Sequence, residues 1–323
     1  MRLLLLAWLA GCSPKPEVVV YTSVDQVFSE PVFDAFEAAS GVTVRAVFDT
    51  EEAKSTGVLN RLLAEADAPQ ADVFWSGDPV RPFLLAQRGL LEPYASPEAA
   101  GIPVAYKAAD GSWTGVAARA RMLLVHRDLV PEAETPHTLR ELTGPAWTDR
   151  VAIANPLYGT TTMHAAALMV AWGEQPAQAW LDGLKANGAR IAASNGEVRR
   201  LVVAGDVAVG LLDTDDAAEA VASGAHVEGI FPADGTLVMP SSVVLLRGGP
   251  HPAEARKLAD WLISARTEEA MAAHGAHMPL RAGVVAPAGV VAVGSIPALA
   301  VDYQAVAREM EASQPWLKAW AGL

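Results

Sequence analysis

The sequence predicts an α/β protein made of two domains or lobes, and three observations carry that prediction. Short β-branched runs alternate with helical stretches, the pattern of strands paired in parallel through helical crossovers. The scheme starts at Val18 and is repeated from Val151. A chain of 323 residues also suits two units at about 150 residues per domain.

Residues 18–21 are a short strand, closed by Thr22-Ser23 and followed by Asp25. Val32, Phe33 and Phe36 fall at helical spacing within residues 31–39, and Ser40-Gly41 stops that helix. Residues 42–48 alternate apolar and polar as a second strand. A helix over 59–66 follows, then a strand over 71–75 ending in Ser76-Gly77-Asp78, then a helix over 80–89. Residues 95–112 hold Pro97, Gly101, Pro103 and Gly111 and read as a loop-rich connection. Residues 113–125 are an apolar strand interrupted by Arg119 and Arg121, which share one face because they are two apart. They suit pairing with Asp residues or an anion, or a solvated strand face.

The second unit opens with a strand over 151–154 and a helix over 163–171. Between them, Gly159 and Thr160 to Thr162 offer backbone N–H groups and hydroxyls to an anion at a helix start. Tyr158 adds a phenol there, and ordinary Thr capping is the alternative. Helices over 180–184 and 198–203 flank Ser194-Asn195-Gly196-Glu197. The apolar run 207–212 reads as a buried strand and 217–223 as a helix, with Asp213, Asp215 and Asp216 at the handover. That is where open α/β sheets place ligands. Three such carboxylates repel, so they face water or meet a cation; the plain alternative is a solvated turn with an Asp cap. Residues 235–240 and 243–246 read as two strands, 252–263 and 303–312 as helices, and Pro315 opens one further turn. Trp316 and Trp320, four apart, are expected in the core.

With 51% hydrophobic and 19% charged residues the chain is globular. A formal charge of −13 argues against nucleic acid and permits a cationic ligand. Residues 3–9 are an apolar core after Arg2, and Leu9-Ala10-Gly11 precede the single cysteine, Cys12. This reads as a short secretory signal and resembles a bacterial lipoprotein lipobox, which implies cleavage before Cys12 and its lipidation. Seven apolar residues fall far short of the roughly 20 that span a bilayer. The expectation is a protein of the periplasm or cell surface, touching the membrane only through its lipid anchor. With one cysteine there is no intramolecular disulfide.

Phosphate-loop, nucleophile-elbow and zinc-protease motifs are missing. The seven histidines are scattered, none with a His or Cys at metal spacing. His164, inside a helix near the anion position, reads as structural. Nothing marks a nucleophile with its base, so the chain is read as a non-enzyme, with a secreted hydrolase or a purely structural surface lipoprotein as the weaker classes.

Taken in order, Val18-Val19-Val20-Tyr21-Thr22-Ser23, the Phe33 to Val44 pattern, Ala71-Asp72-Val73-Phe74-Trp75-Ser76, Gly89-Leu90-Leu91, Trp180-Leu181-Asp182-Gly183-Leu184, Gly235-Thr236-Leu237-Val238 and His251-Pro252-Ala253-Glu254-Ala255 carry a resemblance. The chain resembles the substrate-binding proteins of bacterial ABC importers, within them the ferric-iron-binding branch. That implies a two-lobed, type II periplasmic-binding-protein fold with mostly parallel sheets and a ligand cleft between lobes that close by hinge motion. It implies a signal and lipidation site over 1–12, a tether over 13–17, one lobe from 18–117 plus about 236–290, and another from 118–235 plus about 291–323. The implied partners are an ABC permease and its ATPase, with the chain a monomer and no resident cofactor.

Carried onto this sequence, the resemblance implies a ligand shell of Ser23, Asp25, Ser76, Asp78, Arg121, Tyr158, Gly159, Thr160, Thr161, Asn195, Asp213, Asp215 and Asp216. Ferric-binding relatives often place a histidine where Asp25 stands, a glutamate near Asp78 and adjacent tyrosines at Asp215 and Asp216. Two ligands suit the carboxylate replacements. One is a hard cation such as iron, Ca²⁺ or Mg²⁺, held by Asp25, Asp78, Asp215 and Asp216. The other is a small zwitterion such as an aminoalkylphosphonate, its anion at the Thr160 helix start and its ammonium at the Asp cluster.

Overall fold

The computed structural model describes residues 15–49 and 57–322; Cys12 lies outside the described residues. The chain runs β1 (Glu17–Thr22), α1 (Gln26–Ser40), β2 (Thr43–Phe48), α2 (Gly57–Ala64), β3 (Val73–Ser76), α3 (Arg81–Gln87), β4 (Leu91–Glu92) and the long β5 (Thr114–His126). It continues through β6 (Val151–Ala154), α4 (Gly159–Trp172), α5 (Glu174–Ala186), β7 (Arg190–Ala192), α6 (Asn195–Val203), β8 (Val209–Asp213), α7 (Thr214–Ala222), β9 (Val227–Ile230) and β10 (Val238–Leu246). The helices α8 (Pro252–Ile263), α9 (Ala265–Gly275), α10 (Tyr303–Ala312) and α11 (Gln314–Ala321) complete it.

These elements make the expected two-lobed α/β fold. Strand order is β2-β1-β3-β10-β5-β8-β6-β7, with β4 on β10 and β9 on β5. The outer strands are parallel: β1 with β2 and β3, and β6 with β7 and β8. The two long central strands run antiparallel to their neighbours. β5 pairs with β10 through Ala120 and with β8 from Arg121 onward, so one strand carries both halves of the sheet.

Alternation sorts the side chains of each strand to two faces. Val18, Val20 and Trp75 pack with Phe33 and Phe36 of α1 on one side, while Tyr21 and Phe74 pack with Leu85 of α3 on the other. In the other half, Leu123, Ile153 and Leu211 bury against α4 and α5, and Leu124 and Leu212 against α6 and α7. Strands covered on both faces explain the near-continuous apolar runs.

Two expectations need correction, and one helix went unread. Residues 235–246 do not form two strands: β10 is one strand, its register shifting at Pro240/Ser241, because proline donates no ladder hydrogen bond and the sheet accommodates it as an irregularity. The tail beyond Pro315 is the full helix α11, and its buried anchors are Leu317 and Trp320, whereas Trp316 is only half-buried. The helix α9 was not legible because its inner face carries buried Thr267 and Glu268. Glu268 accepts the Leu280 and Arg281 amides at 3.2 and 3.3 Å, which hides a polar residue where an apolar one would reveal the period.

Candidate functional site

The carboxyl ends of β1, β3, β6 and β8 open on one cleft of about 1410 Å³, the ligand position of open α/β sheets. Ser23, Asp25, Asp78, Tyr158, Gly159, Thr160, Thr161, Asn195, Asp213, Asp215 and Asp216 all line it. Two other expected residues do not. Ser76 is fully buried, with its hydroxyl beside the Asp78 amide at 3.4 Å. The Arg121 side chain is likewise shut off from solvent, behind the cleft wall.

Arg121 organises that wall. Its Nη1 donates to Asp213 Oδ1 at 2.6 Å and to Thr160 Oγ1 and Asn195 Oδ1, each at 3.2 Å. Nη2 donates to the Leu211 carbonyl at 3.2 Å. Thr160 Oγ1 in turn donates to Asp213 Oδ2 at 2.8 Å and accepts from Asn195 Nδ2 at 3.0 Å. The starts of α4 and α6 and the end of β8 are thereby tied to the central strand. Asp213 is spent on this network. It is the residue before α7 but caps no amide of that helix.

Arg119, two positions earlier and paired with β10, reaches both the Gly77 turn and the acidic turn. Its Nη2 donates to the Gly77 carbonyl at 3.2 Å, and Nη1 lies 3.6 Å from Asp213 and 3.7 Å from Asp215. Burial alone would lower its pKa. The surrounding Asp215, Asp213, Asp25 and Asp216 outweigh that and raise it above its ordinary value.

Among the described residues, Asp213, Asp215 and Asp216 form a group whose carboxylate oxygens lie within 4.8 Å of one another, close enough to share a metal ion. Asp25 and Asp78 stand outside this group. Asp78 Oδ1 caps α3, accepting the Val80 and Arg81 amides at 2.9 and 3.1 Å, and its other oxygen pairs with the Arg81 guanidinium. Burial raises the Asp215 pKa, Arg119 opposes the rise and Asp213 adds to it. Asp215 Oδ1 is buried with no hydrogen-bond partner. Asp216 is pushed up to about 7 by burial and by Asp215 and Asp213, against Arg199 and Arg119. The Arg199 guanidinium sits 3.8 Å from it. The acidic turn is therefore partly neutralised by the chain's own arginines: Arg119 and Arg121 take the Asp pairing that was one of their expected alternatives, and Arg199 joins them without having been singled out.

His164 is structural as expected: buried, its Nε2 lies 2.8 Å from the Gly235 carbonyl. Burial and the Arg121 charge hold it neutral, its pKa pushed down to about 3. Sequence reasoning missed His277, which lines the cleft from the C-terminal end of α9. A lone histidine after an unrecognised helix carries no signal. Arg119 was visible as the partner of Arg121, yet nothing in their spacing says which one faces the cleft.

The cleft lining offers carboxylates, a guanidinium and helix-start hydroxyls to a ligand. Relatives are named for uptake and binding. The chain is 28% identical to "Iron uptake protein A1" of Synechocystis over 83% of this chain and 77% of that one. It is 25% identical to the "Major ferric iron-binding protein" of Neisseria meningitidis over 96% of this chain and 95% of that one. Iron-bound HitA from Pseudomonas aeruginosa superposes with a TM-score of 0.82 at 21% identity, covering 94% of this chain and 99% of that one. The binding protein AfuA from Actinobacillus pleuropneumoniae, with fructose-6-phosphate bound, superposes at 0.79 and 22% identity over 96% of this chain and 99% of that one. Residues 68–292 match the bacterial extracellular solute-binding proteins, and the chain belongs to that family.

Proposed function

We propose that this chain is the extracytoplasmic receptor of an ABC importer for a hard metal ion, with ferric iron as the leading cargo, and that Asp215 and Asp216 bind it. The observation that carries the reading is the crowding at the start of α7. Asp215 keeps a buried, unpartnered oxygen and Asp216 holds its proton up to about neutral pH. A cation between them would relieve both costs, and hard cations select such all-oxygen sites. The iron-binding relatives at 25–28% identity over most of the chain support the same cargo. Tyr158 and an anion at the Gly159–Thr161 helix start would complete the shell, with Ser23, Asp25 and Asp78 facing it from the other lobe. Lobe one is taken as 18–117 plus about 236–290 and lobe two as 118–235 plus about 291–323; the switch of β5 from β10 to β8 at Ala120/Arg121, three residues beyond the first of these bounds, supports a crossover in this stretch. Lipidation of Cys12 would hold the receptor at the membrane, where it would hand its cargo to a permease and its ATPase.

One observation favours a second reading, a zwitterionic organic solute. Arg119 lines the cleft beside Asp213 and Asp215, so the cleft offers charges of both signs. Thermal unfolding with Fe(III)-citrate, divalent metals, polyamines and aminophosphonates separates the two. Cargo at a hundredfold excess over its dissociation constant stabilises by about 2.7 kcal/mol. The pair Asp215→Asn and Asp216→Asn should abolish the Fe(III) response; a response kept by that double variant removes the acidic turn from the site.

A further inference from the structure

The cleft holds one more donor, on the wall opposite the acidic turn. His277 is 6% exposed and lines the cleft. Its Nδ1 is buried and has no hydrogen-bond partner of good geometry. The Gly275 backbone lies against this nitrogen, so closely that a Cβ at position 275 would sit 2.6 Å from it. With Nδ1 turned to the backbone, Nε2 is the ring nitrogen left for the cleft, and a neutral imidazole with one nitrogen directed at the backbone presents the other as a lone-pair donor.

The ring is held firmly. Ala276, just before it, is the left-handed C-cap of α9 (φ 51°), its amide bonded to the Met271 carbonyl. Just after it, Met278 exchanges both backbone hydrogen bonds with Ala118 at 2.7 and 2.8 Å, one residue from Arg119. The Phe28 ring packs edge-on at 5.6 Å.

We propose that His277 is a cargo-binding residue whose Nε2 coordinates the metal ion seated against Asp215 and Asp216, bridging the acidic turn to the opposite wall of the cleft. The inference rests on the metal reading above. It predicts a mixed oxygen–nitrogen shell rather than an all-carboxylate one.

The test is pulsed electron paramagnetic resonance on the purified protein loaded with Fe(III) from citrate, with histidine labelled by ¹⁵N. Coupling to one imidazole nitrogen is expected, and H277A should lose it. In citrate competition, H277A and H277Q should bind Fe(III) more weakly by at least the roughly 10–100-fold that even an outer-sphere partner is worth. The unsubstituted protein reports the coupling without any variant having to fold. Iron bound with no nitrogen coupling, or with unchanged affinity in a folded H277A, overturns the role of His277 and leaves the metal reading standing. No iron binding by the unsubstituted protein overturns both.

Discussion

Arg121 is the residue whose loss the structure most sharply prices. Its side chain is fully shut off from solvent and Asp213 is 1% exposed, so their 2.6 Å contact is not screened by water. In Arg121→Met, Asp213 keeps the Thr160 hydroxyl at 2.8 Å but only a distant guanidinium, Arg119, at 3.6 Å. Breaking a buried pair from one side costs about 3–5 kcal/mol, because a charge is left without its partner. With roughly 2–4 °C lost per kcal/mol in a chain this large, the melting temperature should fall by about 6–20 °C. Differential scanning calorimetry of the ligand-free protein at neutral pH reads that directly. Adding Asp213→Leu to Arg121→Met removes the orphaned charge, so the double variant should be less destabilised than the two single effects added together. A loss under about 1 kcal/mol for Arg121→Met, or a double variant worse than additive, would refute the view that this pair anchors the cleft wall.

Asp216 supplies a pH dependence of definite sign. Its folded pKa of about 7 lies above the ordinary 3.8, so its contribution is present below about 3.8 and lost as pH rises to about 7. Buried His164 and His277, held neutral with pKa values of about 3 and 4, act oppositely, removing stability as pH falls below their ordinary 6.5. The difference in melting temperature between the unsubstituted protein and D216N therefore isolates the Asp216 share, and it should shift in favour of D216N as pH rises from 5 to 7.5. Gly77→Ala should destabilise by about 1–3 kcal/mol in urea titration, since its Cβ would meet the Ser23 carbonyl at 2.9 Å, backbone against backbone.

The fold was legible where local pattern and tertiary role agree. The buried strands β1, β3, β6 and β8 carry β-branched or apolar runs because both faces are covered, and the turns after them carry the polar residues that line the cleft. It was illegible where partners distant in sequence decide. Ser76 and Asp78 look alike as turn residues, yet one is buried beside a helix start and the other caps that helix and pairs with Arg81. Glu268 reads as surface charge and is fully buried, because the amides of Leu280 and Arg281 come to it. No local rule announces such a meeting.

The acidic turn shows the same limit in electrostatic form. Three aspartates at a strand–helix junction look like a demand for an external cation, and the strand register supplies an internal one first. Arg121 lies directly across from Asp213 in the β5–β8 pairing, so that carboxylate is neutralised by the sheet itself. Arg119, two residues back, donates to the Gly77 carbonyl at 3.2 Å and stands off from Asp213 and Asp215 at 3.6 and 3.7 Å, so it answers neither carboxylate closely. What remains for a ligand is the residue of this balance: one unpartnered Asp215 oxygen, an Asp216 whose pKa is pushed up to about 7, and the positive ends of α4 and α7 beside them. A cation entering here competes with Arg119 for Asp215 and with a proton for Asp216. Removing the first competitor, in Arg119→Met, should therefore tighten Fe(III) binding if the cargo is a bare cation and weaken it if the arginine serves an anion carried with the metal. Citrate-competition titration of that one variant, read for the direction of the change, decides between them.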